Sequence, residues 1–568
     1  MAKLVKKVKK PLSALSSRSS GSSSVETSPL RPVQVKKTAP CSNGCPNETN
    51  IREIITTLSQ SEDCGRTNKE SLEAAWKILT EKNPFPSTCG RVCPHPCEAE
   101  CNRNYKDGAV GINNIERFIG DYALESGFKF QKLSGEAYGQ KVAVIGSGPA
   151  GLSCAYQLAR KGYSVKVFEA FSKPGGMLRY GIPDYRLPQN ILDQEIKRIE
   201  DLGVEIQCNC IIGKDIPYEE LQKSYDAIFV GIGAHKGKLL GIPNEEATNV
   251  FTGTEFLNKI NSGEKIDVGK SVLVVGGGDT AIDAARVSKR LGADVAIVYR
   301  RTRKEMPAIE EEILGAEEEG IKIEFLAAPV SFERSGEVIT KMKCQRMELG
   351  EPDESGRRKP VPVPDAFFDL DATTVIAAIS QEPDFTGLDM LLEGKDLPDG
   401  KAGWIKTDES FSTKVAGTYS GGDDIELGLV TIAIFNGRKA AETMHNRFQN
   451  IAPEPVVKPP VITHDKIILR YYESKLRNEP FKLKPEERLA VLDTEITSTL
   501  TEEQVMDEAK RCMSCGSCFD CGTCWSYCQD QVIVKPVIKH QAYKFKLDFC
   551  NGCKKCAENC PCGYIEMR

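Results

Sequence analysis

Short apolar runs broken at glycines set the rhythm of this sequence. KVAVIGSGPAGLSCAYQLARKGYSVKVFEA (141–170) opens on a continuous apolar run, turns at Gly146, Gly148 and Gly151, continues with helical periodicity and closes on a second apolar run. That order predicts strand, tight turn, amphipathic helix and strand. SVLVVGGGDTAIDAARVSKRLGADVAIVYRR (271–301) repeats the pattern. Two further stretches follow: VIAAISQEP (375–383), and GTYSGGDDIELGLVTIAIFNGRKAA (417–441), which reads as strand, glycine turn and helix. RLPQNILDQEIKRIEDLGV (186–204) has the stripe of a packed surface helix, and LTEEQVMDEAKR (500–511) reads as another helix. Nowhere is there the run of about 18 apolar residues that a membrane span needs.

With 568 residues the chain has room for several domains, and a net charge of −5 is too balanced for binding driven by nucleic-acid phosphates. The first residues, MAKLVKKVKKPLSALSSRSSGSSS, are basic and Ser-rich without an apolar core, which predicts a flexible cytosolic tail over 1–38. A docking arm for an acidic partner is the alternative.

Cysteine is the anomaly. Of 22, seven lie between Cys41 and Cys101, eleven between Cys512 and Cys562, and only Cys154, Cys208, Cys210 and Cys344 between. Thiols kept reduced in a cytosol are available as metal ligands. Cys518-x2-Cys521-x2-Cys524-x3-Cys528 and Cys550-x2-Cys553-x2-Cys556-x3-Cys560-Pro561 repeat the spacing that holds two cubane clusters. Because the fourth cysteine of each run serves the other cluster, Cys518, Cys521, Cys524 and Cys560 form one expected set, and Cys528, Cys550, Cys553 and Cys556 the other. Zinc, the competing reading, favours ligand pairs set farther apart.

The glycine turn of the first unit (Gly146, Ser147, Gly148, Pro149, Ala150, Gly151) suits a pyrophosphate at a helix N-terminus. Glu169, 23 residues beyond Gly146, suits a ribose hydroxyl, with Ala170 beside it. In the second unit (Gly276, Gly277, Gly278, Asp279, Thr280) the second strand ends instead on Tyr299, Arg300 and Arg301, then Arg303 and Lys304. Cations there suit a 2′-phosphate, hence NADPH over NADH, with a solvated basic turn as the alternative. The five histidines form no constellation with a nucleophile, so no catalytic acid, base or nucleophile is expected.

CGRVCPHPCEAEC, GAVGINNIERF, VAVIGSGPAGLSCA, KPGGMLRYGIPDYRLP, VVGGGDTAIDAAR, VYRRTRKEMPA and GGDDIELGLVTIAIFNGRKAA resemble the small-subunit family of NADPH-dependent glutamate synthase, also seen in the N-terminal half of dihydropyrimidine dehydrogenase. The resemblance implies that FAD occupies the outer of two nested nucleotide folds. Its implied contacts are Gly175, Gly176, Met177, Leu178, Tyr180, Gly181 and Ile182, with Arg186 close by, then Gly233, Gly422, Asp423, Val430 and Thr431. NADPH (or NADH) takes the inner fold.

The family also implies two N-terminal clusters, but this chain has only Cys41, Cys45, Cys93, Cys97 and Cys101 for them. DEAKRCMSCG (507–516) resembles the helix and CxxC that the family carries at its N-terminus. We therefore expect Cys512 and Cys515 to fold back, in cis or from a dimer mate, to join Cys41 and Cys101. Glu116, at the family's non-cysteine ligand position, joins Cys45, Cys93 and Cys97. The alternative is one lost cluster and two idle thiols.

The expected architecture is α/β, with a helical Fe-S domain at 39–134, an FAD domain at 135–245 and 375–447, and an NAD(P)H domain at 246–374. A helical linker at 448–510 and a two-cluster ferredoxin-like α+β domain at 511–568 complete it. Four 4Fe-4S clusters are expected, three if the fold-back fails. A hydride carries two electrons and a cluster takes one, so the flavin stands between them. The ferredoxin extension is similar to flavoproteins of the DsrL type, which exchange electrons between NAD(P)H and dissimilatory sulfite reductase. It implies a cytoplasmic electron module with a redox protein partner. A glutamate synthase small subunit with an added domain is the rival. One-electron centres are expected at both ends of the chain.

Overall fold

The computed structural model describes residues 28–353, 356–392, 403–452 and 458–568. Residues 1–27 of the expected tail, and residues 453–457 of the expected linker, lie outside them.

Both glycine turns fold as their patterns predict. Strand Lys141–Ile145 lies inside a five-stranded parallel sheet with Ser164–Phe168 and Glu205–Gln207 on one side and Ala227–Val230 and Thr418–Ser420 on the other. Helix Pro149–Lys161 starts on a proline, whose missing N–H costs nothing there, and ends at Gly162 in the left-handed region. It is buried along nearly its whole length, because helix Val430–Phe448 crosses its outer face.

The second parallel sheet orders Lys322–Phe325, Asp294–Tyr299, Ser271–Val275, Thr374–Ala377 and Val250–Thr252. It is threaded into the chain between Ala227–Val230 and Thr418–Ser420, so the two nucleotide folds are nested. A three-stranded antiparallel sheet, Ala327–Ser335, Val338–Pro352 and Arg358–Asp371, projects from it.

The N-terminal region is helical, built on Ile51–Ser59, Asn68–Thr80, Pro86–Val92 and Ile112–Glu125 around Leu58, Leu72, Trp76 and Ile119. Helix Glu502–Ala509 joins this core through Val505, Met506 and Ala509. The segment expected to link therefore docks in cis on the N-terminal helices.

Two expectations need correction. Residues 28–38 are not a loose tail: Pro32–Gln34 pairs antiparallel with Ile565–Met567, and Lys37 Nζ donates to Gly563 O (2.8 Å) and meets Glu566 (2.7 Å). This edge strand completes the ferredoxin-like end from more than 500 residues away. Nor does the outer fold resume at 375: Thr374–Ala377 is a strand of the inner sheet, paired between Ser271–Val275 and Val250–Thr252. Among the described residues no helix is long and apolar enough to cross a membrane.

Candidate functional site

The first glycine turn opens on a cleft of about 570 Å³ lined by Gly146, Ser147, Gly148, Pro149, Ala150, Glu169, Ala170, Gly176, Met177, Gly233, Gly422 and Asp423. Gly151 lies beneath it, where a Cβ would fall 2.0 Å from Gly146 O, so only glycine lets helix and turn approach this closely. The Glu169 carboxylate is buried and accepts from Ser147 N (2.9 Å), from the Ser147 hydroxyl and from Phe171 N (2.8 Å). Asp423 accepts from Gly428 N (3.0 Å), and burial pushes its pKa up to about 6.

Other expected FAD residues shape the cleft without lining it. Leu178 and Tyr180 are buried, the Tyr180 ring tilted against Phe171 with centroids 4.6 Å apart, and Gly175, Gly181, Ile182 and Val430 are not among the lining residues. Arg186 departs from expectation. Its guanidinium meets Asp283 at 2.7 Å and Glu312 at 3.6 Å, buried between the two nucleotide folds. Arg186 is thus a clamp between the folds rather than a cleft residue.

Sequence reasoning missed the far wall. Ile211, Ile212, Lys214, His235, Asp384 and Thr386 all line the cleft without any motif to mark them. Burial depresses His235 to about 4, which keeps the imidazole neutral. Asp424 was also missed. It is buried, accepts from Ile232 N (3.1 Å) and Gly233 N (2.5 Å), and so ties the closing segment to the loop opposite.

The second cleft, about 530 Å³, is lined by Gly276, Gly277, Gly278, Thr280, Tyr299, Arg300, Arg301 and Arg357. Asp279 stands aside, accepting from Ile309 N (2.9 Å). Arg301 is committed elsewhere, donating to Asp353 (2.6 Å) and to Arg358 O (2.8 Å). Arg300 and Arg301 both line the cleft, Arg301 being tied in addition to the hairpin. Leu427, from the segment that closes the first cleft, also lines the second, so the two adjoin.

The thiols gather in four sets. Cys45, Cys93, Cys97 and Glu116 line one cavity with Asn83 and Thr431. Burial, then the neighbouring Glu116 charge, pushes Cys93 up to about 12, and burial pushes Glu116 to about 7 against the Asn83 hydrogen bond (2.8 Å). Cys41 has Cys101, Cys512 and Cys515 as its thiol neighbours. Cys518, Cys521, Cys524 and Cys560 line a third cavity, and Cys556 has Cys528, Cys550 and Cys553 around it.

These donor sets suit iron-sulfur clusters. Cys41, Cys93 and Cys97, which burial holds protonated, become thiolates when a cation displaces the proton. Among the described residues no three such side chains converge as tightly as a single ion requires, whereas a cubane spreads its ligands over four corners. Cys64 is exposed, while Cys154, Cys210 and Cys344 are buried core residues.

The sequence model for the pyridine nucleotide-disulphide oxidoreductases matches residues 140–437, just over half of the chain. The chain belongs to that family. A second match, dihydropyrimidine dehydrogenase domain II with its 4Fe-4S cluster, covers residues 21–128. Among curated relatives, NADPH-Fe(3+) oxidoreductase subunit beta of Geobacter sulfurreducens is 35% identical over 84% of this chain and 75% of that protein. The glutamate synthase [NADPH] small chain of Azospirillum brasilense is 33% identical over 73% of this chain and 88% of that protein. NADP(+)-dependent formate dehydrogenase subunit beta of Moorella thermoacetica is 38% identical over 74% and 61%. This oxidoreductase is accordingly an iron-sulfur flavoprotein that uses FAD, NADPH and 4Fe-4S clusters.

Proposed function

We propose that this oxidoreductase is an electron-input module that takes electrons from NADPH and delivers them singly to a redox protein partner. When bound, nicotinamide, flavin and clusters together supply the conversion of a two-electron hydride into single electrons. The chain's own residues bind and aim. Gly276, Gly277, Gly278, Thr280 and Arg300 hold NADPH. Gly146, Ser147, Gly148, Glu169, Gly176, Met177, Gly422 and Asp423 hold FAD. Hydride transfer needs no protein acid or base, so positioning is the whole contribution.

The observation that carries this reading is the place of helix Val430–Phe448: Ala433 lines the first cleft, and Thr431, two residues earlier, lines the cavity of Cys45, Cys93, Cys97 and Glu116. One helix start thus touches both the flavin site and the first thiol set. The four proposed ligand sets are Cys45, Cys93, Cys97 and Glu116; Cys41, Cys101, Cys512 and Cys515; Cys518, Cys521, Cys524 and Cys560; and Cys528, Cys550, Cys553 and Cys556. Iron analysis of anaerobically purified protein tests them: four clusters give about sixteen irons per chain, and about twelve would refute the fold-back.

For the acceptor we propose a partner of the dissimilatory sulfite reductase type, met in the cytoplasm, possession of the ferredoxin-like extension being the support. Tyr527 and Phe549, next to Cys528 and Cys550, are exposed and give that end an apolar contact surface. A homodimer is part of the proposal only for the intact assembly, since Cys512 and Cys515 reach their set within one chain. The relative from Azospirillum favours a second reading, the small chain of a glutamate synthase. NADPH oxidation coupled to sulfite reductase, against NADPH oxidation coupled to a large chain with glutamine and 2-oxoglutarate, separates the two.

A further inference from the structure

Short chain spans tie the four thiol sets in a fixed order. Cys41 to Cys45 and Cys97 to Cys101 each join the Glu116-containing set to the Cys512 set across three intervening residues. Cys524 to Cys528 and Cys556 to Cys560 join the two ferredoxin-like sets in the same way. Between the Cys512 set and the Cys518 set there is a single span, Cys515-Gly516-Ser517-Cys518. Three residue steps reach at most about 11 Å, so these two sets are neighbours by covalent geometry alone. No short span links any other pair of sets. Along the chain these ties run in single file.

The crossing is pinned from several sides. Arg52 Nη1 donates to Cys515 O (2.7 Å) and Gly516 N to Cys562 O (2.7 Å), while Lys37 N donates to Gly516 O (3.0 Å). One side chain fills the space beside it. Tyr472 has the thiols of Cys512, Cys515, Cys521 and Cys562 around it, and its hydroxyl donates to Met513 O (2.8 Å) inside the CxxC turn. Its ring lies 6.0 Å from Phe519, the residue after Cys518, and 5.3 Å from Tyr471, which faces Cys521.

We propose that every electron reaching the ferredoxin-like end crosses at Cys515–Cys518, and that Tyr472 is the positioning residue that packs the gap and holds the CxxC turn against it. The inference rests on the ligand sets proposed above. Each NADPH oxidised to NADP+ supplies two electrons and releases one proton to solvent, so two crossings occur in succession. In each, the cluster of the Cys512 set is oxidised by one electron and that of the Cys518 set is reduced by one. The oxidant that finally empties the file is the partner protein. No proton moves at Tyr472, whose hydroxyl serves as a hydrogen-bond donor throughout. Tunnelling falls more steeply across a void than through packed atoms. Removing the ring should therefore slow the crossing without touching the steps before it.

The test uses full-length, cluster-loaded protein mixed anaerobically with NADPH and followed by flavin absorbance and freeze-quench EPR. In Tyr472→Leu, flavin bleaching and filling of the N-terminal clusters keep wild-type rates, while filling of the ferredoxin-like clusters slows by about tenfold or more, a misplacement effect. Tyr472→Phe, which keeps the ring, stays within about threefold. In dithionite-reduced Tyr472→Leu, the magnetic broadening between the two neighbouring clusters weakens, a readout independent of turnover. Wild-type filling in Tyr472→Leu at full iron content overturns the proposal, as does filling of the ferredoxin-like clusters before the N-terminal ones. Should Tyr472→Leu lose iron, Tyr472→Met, which also removes the ring, is measured instead, and wild-type filling there overturns it equally. Absence of flavin bleaching in the wild type points to failure of the underlying functional reading.

Discussion

The Arg511 guanidinium lies 2.5 Å from the Glu508 carboxylate with both side chains fully buried. Arg511 also donates to Ala109 O (2.8 Å) and Glu508 accepts from Gly111 N (2.7 Å), so this pair fastens the C-terminal helix to the N-terminal thiol region. Removing one member of a buried ion pair costs about 3–5 kcal/mol where the other charge is stranded, and less here because Arg511 also meets Asp107 at 3.4 Å. Glu508→Ala should lower stability by up to about 3 kcal/mol and release about four irons, leaving flavin content unchanged. Denaturant titration and iron analysis check it. Full iron retention would show that the fold-back does not depend on this anchor.

Gly151 stands where a Cβ would meet Gly146 O at 2.0 Å. Gly151→Ala must push the turn away from the helix start, and FAD should be lost even where the chain still folds. Bound flavin, measured by its release on denaturation, should fall by about tenfold or more relative to wild type.

Arg300 and Arg301 should separate by experiment. Arg300→Ala should raise KM for NADPH by about tenfold to a hundredfold and leave KM for NADH nearly unchanged, since only NADPH carries the 2′-phosphate. Arg301→Ala should instead loosen the hairpin held through Asp353 and Arg358, lowering thermal stability with little change in the NADPH to NADH preference.

Burial pushes Asp424 from 3.8 up to about 8, the nearby Asp423 adding to it. The folded state thus keeps this proton after the unfolded state has lost it. Stability is highest at the acid end of this window. It falls as pH rises from about 4 to about 8, with a slope of at most about 1.4 kcal/mol per pH unit, and then levels. Asp424→Asn, whose single carbonyl oxygen keeps one of the two backbone bonds and which has no proton to lose, should flatten that slope in urea unfolding measured at several pH values. An unchanged slope would contradict the assignment.

How much of this was legible in the sequence depends on the range of the force involved. Gly146, Gly148, Gly276 and Gly278 announce themselves because turn geometry is local, and the Cys518 and Cys550 runs because a cluster demands fixed spacing. Pro32–Gln34 does not. Three residues have no periodicity, and their strand exists only because Ile565–Met567 offers an edge. Arg186 is expected close to the flavin, but its partner Asp283 lies almost a hundred residues away. Arg301 lines the cleft as its motif implies, but the Asp353 that also holds it from a hairpin tip is marked by no local pattern. Tyr472 carries no motif whatever, and only the packing of distant segments reveals what surrounds it.

Anaerobic addition of NADPH to the purified, iron-loaded protein tests the central claim most directly. The account predicts that flavin absorbance bleaches and that EPR signals of reduced clusters then appear, those of the N-terminal sets ahead of the ferredoxin-like sets. A spectrum that NADPH leaves unchanged, or flavin that bleaches while no cluster takes an electron, would contradict it.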